Sequence, residues 1–236
     1  IDDNTFCMDP EKIEEKITER TKAIMFVDLF GQPAHWDKLR EIAKKYNLKI
    51  IEDGAQAANA TYRGEKACTL GDLGVLSLNR HKIIQCGEGG VIFTDDDELA
   101  IRCKLIRNHG ETTVEHFNIS DISQTMGSNY RMNEIEAAIA STQLDKLQGL
   151  YDTRNQLATY LSKKLDELDG IIAPRIQPET TSAYYLYTMR LLSDKLNVNR
   201  ETFCKALRAE GIPVEEGYVK PLYLQKMYQE RSGRLK

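Results

Sequence analysis

The chain is 236 residues long, and its 41% hydrophobic and 29% charged residues are typical of a globular protein with ample material for a core. Its formal net charge of -4 argues against a nucleic-acid-binding surface, because such surfaces carry an excess of lysine and arginine. No apolar run approaches the ~20 residues that a bilayer-spanning helix needs, and no signal peptide is visible.

The cysteines indicate free thiols in a reducing compartment, so we expect a cytoplasmic protein. There are five of them, an odd number, and no Cys-x-x-Cys pair occurs. Cys86 lies beside a glycine turn, and the expectation for it is a small buried apolar side chain. His35 and His116 have no partner at the spacing of metal ligands, so no metal site is predicted.

The first part of the chain alternates between strand and helix patterns. A compact apolar run over 24–31 ends in Gly31 and predicts a buried strand. Residues 37–47 have apolar side chains at helical spacing, and 48–53 predict the next strand. This β-α-β order indicates a parallel sheet with a right-handed crossover. Ligands gather at the carboxyl ends of such strands, where Asp53 lies.

Strands and helices are also predicted further along the chain. The segments LGVLSLN and GVIFTD predict two more strands, and 96–108 predicts a helix that begins with acidic side chains, which suit a helix N-terminus. A long helical stretch follows from about 133 to 168, with Gly149 as a possible kink or join.

The pattern changes after the long helix. Residues 182–192 are rich in aromatic and β-forming side chains and predict a strand, and 199–211 predict a helix that stops at a glycine. The following IPVEEGY is expected to be a strand or turn. We therefore expect two domains: the C-terminal part of a large ligand-binding domain over 1–145, and a linking helix with part of a smaller domain over 146–236.

Four kinds of polar side chain occur at successive predicted strand ends. Asp53 and Gln56 follow one strand, Ser77 ends the next, and Lys82 comes just before the glycine turn GEGG. A pyridoxal phosphate (PLP) site needs an amine for a Schiff base, an anion for the pyridinium nitrogen and a donor for the phosphate. The pattern therefore predicts a PLP site.

The stretch from about Thr5 to Glu134 resembles the DegT/StrS sugar aminotransferases, a branch of the fold-type I PLP enzymes. The resemblance becomes looser from Asp145 onward and is carried by TKAIMFVDLFGQPAHWDKL, IIEDGAQAANATYRG, GDLGVLSLNRHKIIQCGEGGVIFTDDDELA, KLIRNHG and GSNYRMNEIEAAIASTQL. It implies an α/β fold: the PLP-transferase fold-type I large domain, a mainly parallel sheet flanked by helices, plus part of a smaller α+β C-terminal domain. Family members carry a further N-terminal segment, so the chain, which starts with Ile1, is expected to be an internal portion of a longer enzyme.

The resemblance implies a role for each candidate site residue. Lys82 forms the internal aldimine with PLP and moves the proton between substrate and cofactor. Asp53 pairs with the protonated ring nitrogen, and Ser77 donates its hydroxyl to the cofactor phosphate. Ala55 packs on one face of the ring, and the amide of Gln56 bonds the ring hydroxyl.

The resemblance also implies a homodimer with a shared active site, because Asn129 corresponds to an asparagine that reaches the partner's phosphate. The chain departs from the family pattern near the lysine. Leu78 stands where an aromatic residue is usual and Asn79 where histidine is common, which puts the substrate contacts of this segment in doubt.

The implied activity is transfer of an amino group from glutamate or glutamine to a nucleotide-linked keto sugar by ping-pong kinetics. Two alternatives remain open: a PLP-dependent sugar dehydratase of the same fold, and a catalytically silent regulatory homologue that need not hold PLP. In the dehydratase branch histidine replaces the lysine, so Lys82 counts against it, although His81 is adjacent. A desulfurase would need a mobile cysteine loop late in the chain, and Cys204 lies in a helical pattern.

Overall fold

The computed structural model describes residues 1–111 and 125–230. Its contacts divide the chain into two compact units. The first consists of Ile1–Leu165 and Ala173–Met189, and the second consists of Asp166–Ile172 with the described part of Arg190–Lys236. Among the described residues, no helix has both the length and the apolar character to cross a bilayer. The domain boundary expected between residues 145 and 146 stays a prediction.

The first unit is built on a four-stranded sheet with a small hairpin beside it. Its strands are β1 (Ala23–Val27), β2 (Lys49–Asp53), β3 (Thr61–Tyr62), β4 (Glu65–Lys66), β5 (Leu73–Ser77) and β6 (Gly90–Phe93). The sheet order is β1-β2-β5-β6, in which β1, β2 and β5 are parallel and β6 runs antiparallel to β5. The mainly parallel sheet expected from the sequence is therefore confirmed.

The first strand is shorter than the sequence predicts. β1 ends at Val27, and the remainder of the apolar run forms a 3-10 turn over Leu29–Gly31. Inside this turn Phe30 has φ 60°, a left-handed backbone that a bulky residue rarely adopts. The turn bends the chain away from the sheet directly after its carboxyl end.

In its described residues the first unit has four α-helices: α1 (Trp36–Tyr46), α2 (Asp97–Arg107), α3 (Glu134–Leu144) and α4 (Leu147–Leu165). α1 and α2 lie where the sequence predicts them, because both have clear end signals. Asn47 closes α1 in the left-handed conformation, and the Asp96 side chain accepts from the backbone N–H groups of the first turn of α2.

The single long helix expected over 133–168 is wrong in one respect. The structure interrupts it at Asp145–Lys146, so α3 and α4 are separate helices. Gly149, the expected kink or join, lies within α4 instead.

The main core lies between the sheet and α1. Trp36 and Leu39 from α1 are fully buried, and the Trp36 ring meets Phe26 of β1 edge-on with ring centroids 5.0 Å apart. Such edge-to-face aromatic contacts add stability beyond the apolar area that they bury. Ile24 and Ile50 extend this core along the adjacent strands.

The second unit has little regular structure. It contains the antiparallel pair β7 (Ile171–Ile172) and β8 (Arg190–Leu191) and the helices α5 (Ser193–Leu196), α6 (Arg200–Ala209) and α7 (Lys226–Gln229). α6 confirms the helix predicted over 199–211. The strand predicted over 182–192 is wrong for most of its length, since only Arg190 and Leu191 pair.

Candidate active site

Lys82 lies in a short, closed connection between β5 and β6. Leu78 N–H donates to the Gly89 carbonyl at 2.9 Å, and Arg80 N–H donates to the Gly87 carbonyl at 2.8 Å. Gly87 has φ 96°, a conformation that favours glycine. These bonds hold both sides of the loop together, so the backbone that carries Lys82 is fixed.

The Lys82 side chain is half-buried at the carboxyl end of the sheet. Burial lowers the pKa of Lys82 below its ordinary value of 10.5, while the negative charge of Asp53 acts in the opposite direction. The Nζ atom lies 4.7 Å from the centroid of the Tyr185 ring. The structure thus brings Lys82 near Asp53, as the sequence predicts, and adds an aromatic ring to its surroundings.

The residues after β2 form a tight turn around the Asp53 carboxylate. Ala55 N–H donates to Asp53 Oδ1 at 3.1 Å. Gln56 is buried, and its Oε1 accepts the Phe30 N–H at 2.7 Å. This bond joins the turn after β1 to the turn after β2 and orients the Gln56 amide.

Ser77 and Asn129 lie on different elements. Ser77 is the last residue of β5, pairs with Gly90, and accepts a backbone N–H from Asn79 at 3.3 Å. Asn129 is exposed, forms a bridge with Asn108, and accepts the Arg131 N–H at 3.3 Å. Ser77 therefore shares the strand-end position of Asp53, whereas the described contacts of Asn129 tie it to the segment after α2.

Two buried carboxyl groups behind this strand end were missed by the sequence analysis. Glu52 is fully buried and accepts the backbone N–H groups of Cys68 at 2.7 Å and Leu70 at 3.0 Å. Asp28 is also fully buried and accepts the Ala34 N–H at 2.9 Å. Burial, followed by the adjacent charge of Glu52, raises the pKa of Asp28 well above its usual range.

Asp28 also contacts the backbone of the candidate site. Its N–H donates to the Asp53 carbonyl at 3.0 Å, which continues the parallel pairing of β1 with β2 beyond the strands. The second Asp28 oxygen, Oδ2, has no hydrogen-bond partner within the described part of the chain. The only sequence signal was an acidic residue inside the apolar run over 24–31.

The segment that carries Tyr185 is held by contacts from distant parts of the first unit. Ala183 N–H donates to the Gly31 carbonyl at 2.7 Å, and Arg154 Nη1 of α4 donates to the Tyr184 carbonyl at 3.0 Å. A Cβ on Gly31, which has φ 112°, would lie 2.9 Å from the backbone nitrogens of Tyr184 and Tyr185. Glycine at position 31 therefore permits this close approach.

The cysteines and histidines contribute no second reactive cluster in the described ranges. All five cysteines are free, and burial raises the pKa of the Cys86 thiol. Within residues 1–111 and 125–230, no group of three or more His, Cys, Asp or Glu is placed to hold a metal ion. His116 lies outside the described residues.

Comparison with known proteins places the chain in a family. Residues 1–236 match the DegT/DnrJ/EryC1/StrS aminotransferase family over their whole length. The chain belongs to this family. The sequence resemblance and the α/β fold of PLP-dependent aminotransferases that it implied are therefore confirmed.

Several curated relatives of this family member are named as aminotransferases. The chain is 35% identical over 236 residues to UDP-2-acetamido-2-deoxy-3-oxo-D-glucuronate aminotransferase from Pseudomonas aeruginosa, covering 100% of this chain and 62% of the relative. It is 38% identical over 212 residues to GDP-perosamine synthase from Caulobacter vibrioides, covering 89% and 56%. The chain thus spans little more than half the length of these relatives.

Solved structures agree with the family assignment. An aminotransferase from Psychrobacter cryohalolentis matches with a TM-score of 0.89 and 28% identity, covering 100% of this chain and 64% of that one. GDP-4-keto-6-deoxy-D-mannose-3-dehydratase from E. coli, with bound hydrated PLP, matches with a TM-score of 0.80 and 27% identity, covering 90% and 57%. Aminotransferases and a dehydratase therefore share this fold.

Proposed function

We propose that the protein containing this chain is a PLP-dependent aminotransferase that transfers an amino group from glutamate or glutamine to a nucleotide-linked keto sugar. The observation that carries the proposal is the approach of the half-buried Lys82 to the Asp53 carboxylate at the carboxyl end of the sheet. When bound, PLP supplies an electron sink through which an amino group leaves one substrate and enters another.

The residues at the strand ends fit this cofactor. Asp53 provides the anion for the ring nitrogen, and Ser77 provides a hydroxyl for the phosphate. The bond from Phe30 to Gln56 Oε1 orients the amide, whose NH₂ group can donate to the ring oxygen. Ala55, one residue before, contributes a methyl group for a ring face.

Lys82 would hold PLP through Nζ, and its free amine would carry the proton in both half-reactions. A lysine amine is nucleophilic only in its neutral form, so the lowered pKa that burial produces favours both tasks. Because the donor product leaves before the keto sugar binds, ping-pong kinetics are expected.

The surroundings of His81 favour the aminotransferase over the dehydratase. His81 is exposed, and its Nε2 accepts a hydrogen bond from the adjacent Arg80 Nε at 3.2 Å. Lys82 is instead half-buried beside Asp53. These surroundings support the lysine, and not the histidine, as the residue that attaches PLP.

A visible absorption spectrum of the full-length protein tests this assignment. With PLP we expect a visible band that bleaches on addition of glutamate, and after borohydride reduction a pyridoxyl adduct on Lys82. Lys82→Ala should lose both signals. His81→Ala, together with the exposed-lysine control Lys66→Ala, should keep both. A wild-type protein that takes up no PLP would contradict the proposal and leave the silent homologue.

We further propose a homodimer in which Asn129 reaches the partner's phosphate. Asn129 is exposed, and the neighbouring Met126 and Tyr130 are 91% and 69% exposed. Large apolar side chains clustered at a surface are characteristic of a protein interface. The free thiols of all five cysteines support a reducing, cytoplasmic location for this assembly.

Complementation between two inactive variants tests the shared site. Lys82→Ala and Asn129→Ala are each expected to be inactive or nearly so as homodimers. Co-expressed, they should recover about a quarter of the wild-type activity, because half of the dimers are mixed and each mixed dimer has one intact site. Absence of recovery despite mixed dimers on a native gel would place Asn129 in its own subunit's site.

A further inference from the structure

One aromatic contact of Lys82 is not explained by the roles assigned above. The Nζ atom lies 4.7 Å from the centroid of the Tyr185 ring. A lysine ammonium within about 6 Å of the face of an aromatic ring is attracted by the electron-rich face. The contact joins two residues that are far apart in sequence, so the fold, and not local chain geometry, creates it.

The Tyr185 backbone is fixed from two sides. On one side Gly31 accepts the Ala183 N–H at 2.7 Å, and only a glycine at position 31 allows this approach. On the other side, Asn155 Nδ2 of α4 donates to the Ser182 carbonyl at 3.0 Å, next to the Arg154 bond described above. A ring on a segment held in this way is a preorganised partner for a neighbouring charge.

The charged residues near Lys82, Asp53 and Arg80, do not take the place of the Tyr185 ring as its neighbour. Asp53 on β2 is a charged group that acts on Lys82, in addition to the effect of burial. Arg80, on the same loop as Lys82, directs its Nε to His81. The Arg80 side chain is therefore bonded to His81, and the neighbours of the Lys82 amine include the charge of Asp53 and the ring of Tyr185.

We propose that Tyr185 is a positioning residue. The face of the Tyr185 ring holds the Lys82 amine beside Asp53, and this contact fixes Nζ in the position from which it attaches the cofactor. The proposal rests on the proposed function, because it assigns Lys82 as the attachment point. It predicts that the ring face matters and that the hydroxyl group does not.

Competitive acylation of the full-length protein, stripped of cofactor, tests the contact without any enzymatic readout. Acetic anhydride labelling of Lys82 is followed by peptide mass spectrometry from pH 6 to 10 and normalised to its plateau at high pH. In Tyr185→Leu the ammonium loses its aromatic partner, so labelling near pH 7 should rise about two- to fivefold over the wild type. In Tyr185→Phe it should stay within about twofold.

Two references make the result specific. Tyr187→Leu changes a neighbouring ring that stacks on Tyr184, so it controls for general loosening of the segment and should leave Lys82 labelling unchanged. The exposed Lys38 serves as an internal standard in every variant. Unchanged or slower Lys82 labelling in Tyr185→Leu, or an equal change in Tyr185→Phe, would overturn the proposal.

The outcome separates this proposal from the proposed function. If Tyr185→Leu speeds Lys82 labelling but the wild-type protein takes up no PLP, the positioning contact stands and the enzymatic role falls. If PLP attaches to Lys82 but the labelling is the same in wild type and Tyr185→Leu, the enzymatic role stands and the positioning contact falls.

Discussion

Two regions of the first unit differ in how far their hydrophobic side chains are buried. One region contains β1, β2 and α1, and the other contains α3 and α4. In the first, Trp36 and Leu39 are 0% exposed and Phe26 is 2% exposed. In the second, Ile135 of α3 is 75% exposed, and Leu157 and Tyr160 of α4 are 65% and 66% exposed. The first region buries these large side chains within the unit, although Met25 of β1 is 58% exposed, whereas the second region leaves many of its apolar side chains uncovered.

This difference indicates what each region contributes. A closed core stabilises the strands that carry the site, because each buried side chain adds transfer and packing free energy. An uncovered apolar face adds little to the stability of the isolated chain and is instead typical of a surface that meets another protein surface. The expected effects of substitutions should therefore differ between the regions even where the residue types match.

Shortening a large aromatic side chain should show the largest contrast. Trp36→Ala removes a fully buried ring that packs on Phe26, and we expect it to lower the free energy of unfolding by about 3–5 kcal/mol. Tyr160→Ala removes an exposed ring and should change it by no more than about 0.5 kcal/mol. Urea unfolding measures both, and similar losses would contradict the division into covered and uncovered regions.

Adding one methyl group should give effects of opposite sign. Gly31→Ala places a Cβ at φ 112° and 2.9 Å from two backbone nitrogens, so a loss of about 2 kcal/mol is expected. Gly149→Ala, in α4, meets open space and improves helix propensity, so a gain of up to ~1 kcal/mol is expected. Urea midpoints decide this pair, and a neutral Gly31→Ala would show that the segment with Tyr185 is not held closely.

The third expected contrast, measured per pH unit, is in the pH dependence of stability. The folded protein holds the Asp28 proton above the ordinary pKa of 3.8, so the folded state binds more protons than the unfolded state from about pH 4 upward. The Asp28 contribution to the free energy of unfolding therefore falls as the pH rises, by at most ~1.4 kcal/mol per pH unit, until the folded pKa is passed.

Comparing carboxyl-to-amide variants isolates that contribution. Asp28→Asn has no proton to lose, so the wild type should lose stability relative to it as the pH rises from 4 to 8. Asp152→Asn, in the exposed part of α4, should follow the wild-type slope. Parallel curves for the wild type and Asp28→Asn would show that Asp28 is ionised in the folded protein throughout this range.

Local sequence signals predicted the elements whose ends they mark. α1 and α2 were placed nearly to the residue because Asn47 and Asp96 act as caps that are visible in the sequence. The position of the interruption between α3 and α4 could not be predicted, since Asp145 and Lys146 are neither proline nor glycine and are ordinary helix residues. The join was expected at Gly149, which lies within α4.

The strand predicted over 182–192 failed because tertiary contacts override its β propensity. The backbone of Ala183 and Tyr184 bonds to Gly31 and to the Arg154 side chain instead of a neighbouring strand, and Tyr184 has φ 43°. Short-range pattern analysis cannot detect partners that are 30 or more residues away in the chain.

Some residues of the candidate site could be predicted from local sequence signals, and others could not. Lys82, Asp53 and Ser77 follow recognisable strands with glycine turns, so their position at one edge of the sheet was predictable. The burial of Asp28 beside Glu52 and the ring of Tyr185 over Lys82 depend on which strands become neighbours and on how a distant segment returns. These partners became visible only in three dimensions.

The closed loop between β5 and β6 has a consequence for insertions and deletions. Its cross-bonds from Leu78 to Gly89 and from Arg80 to Gly87 fix the number of residues between the strand and Lys82. One residue more or fewer would shift the amine along the loop relative to Asp53. Natural length variation should therefore be absent from the lysine loop.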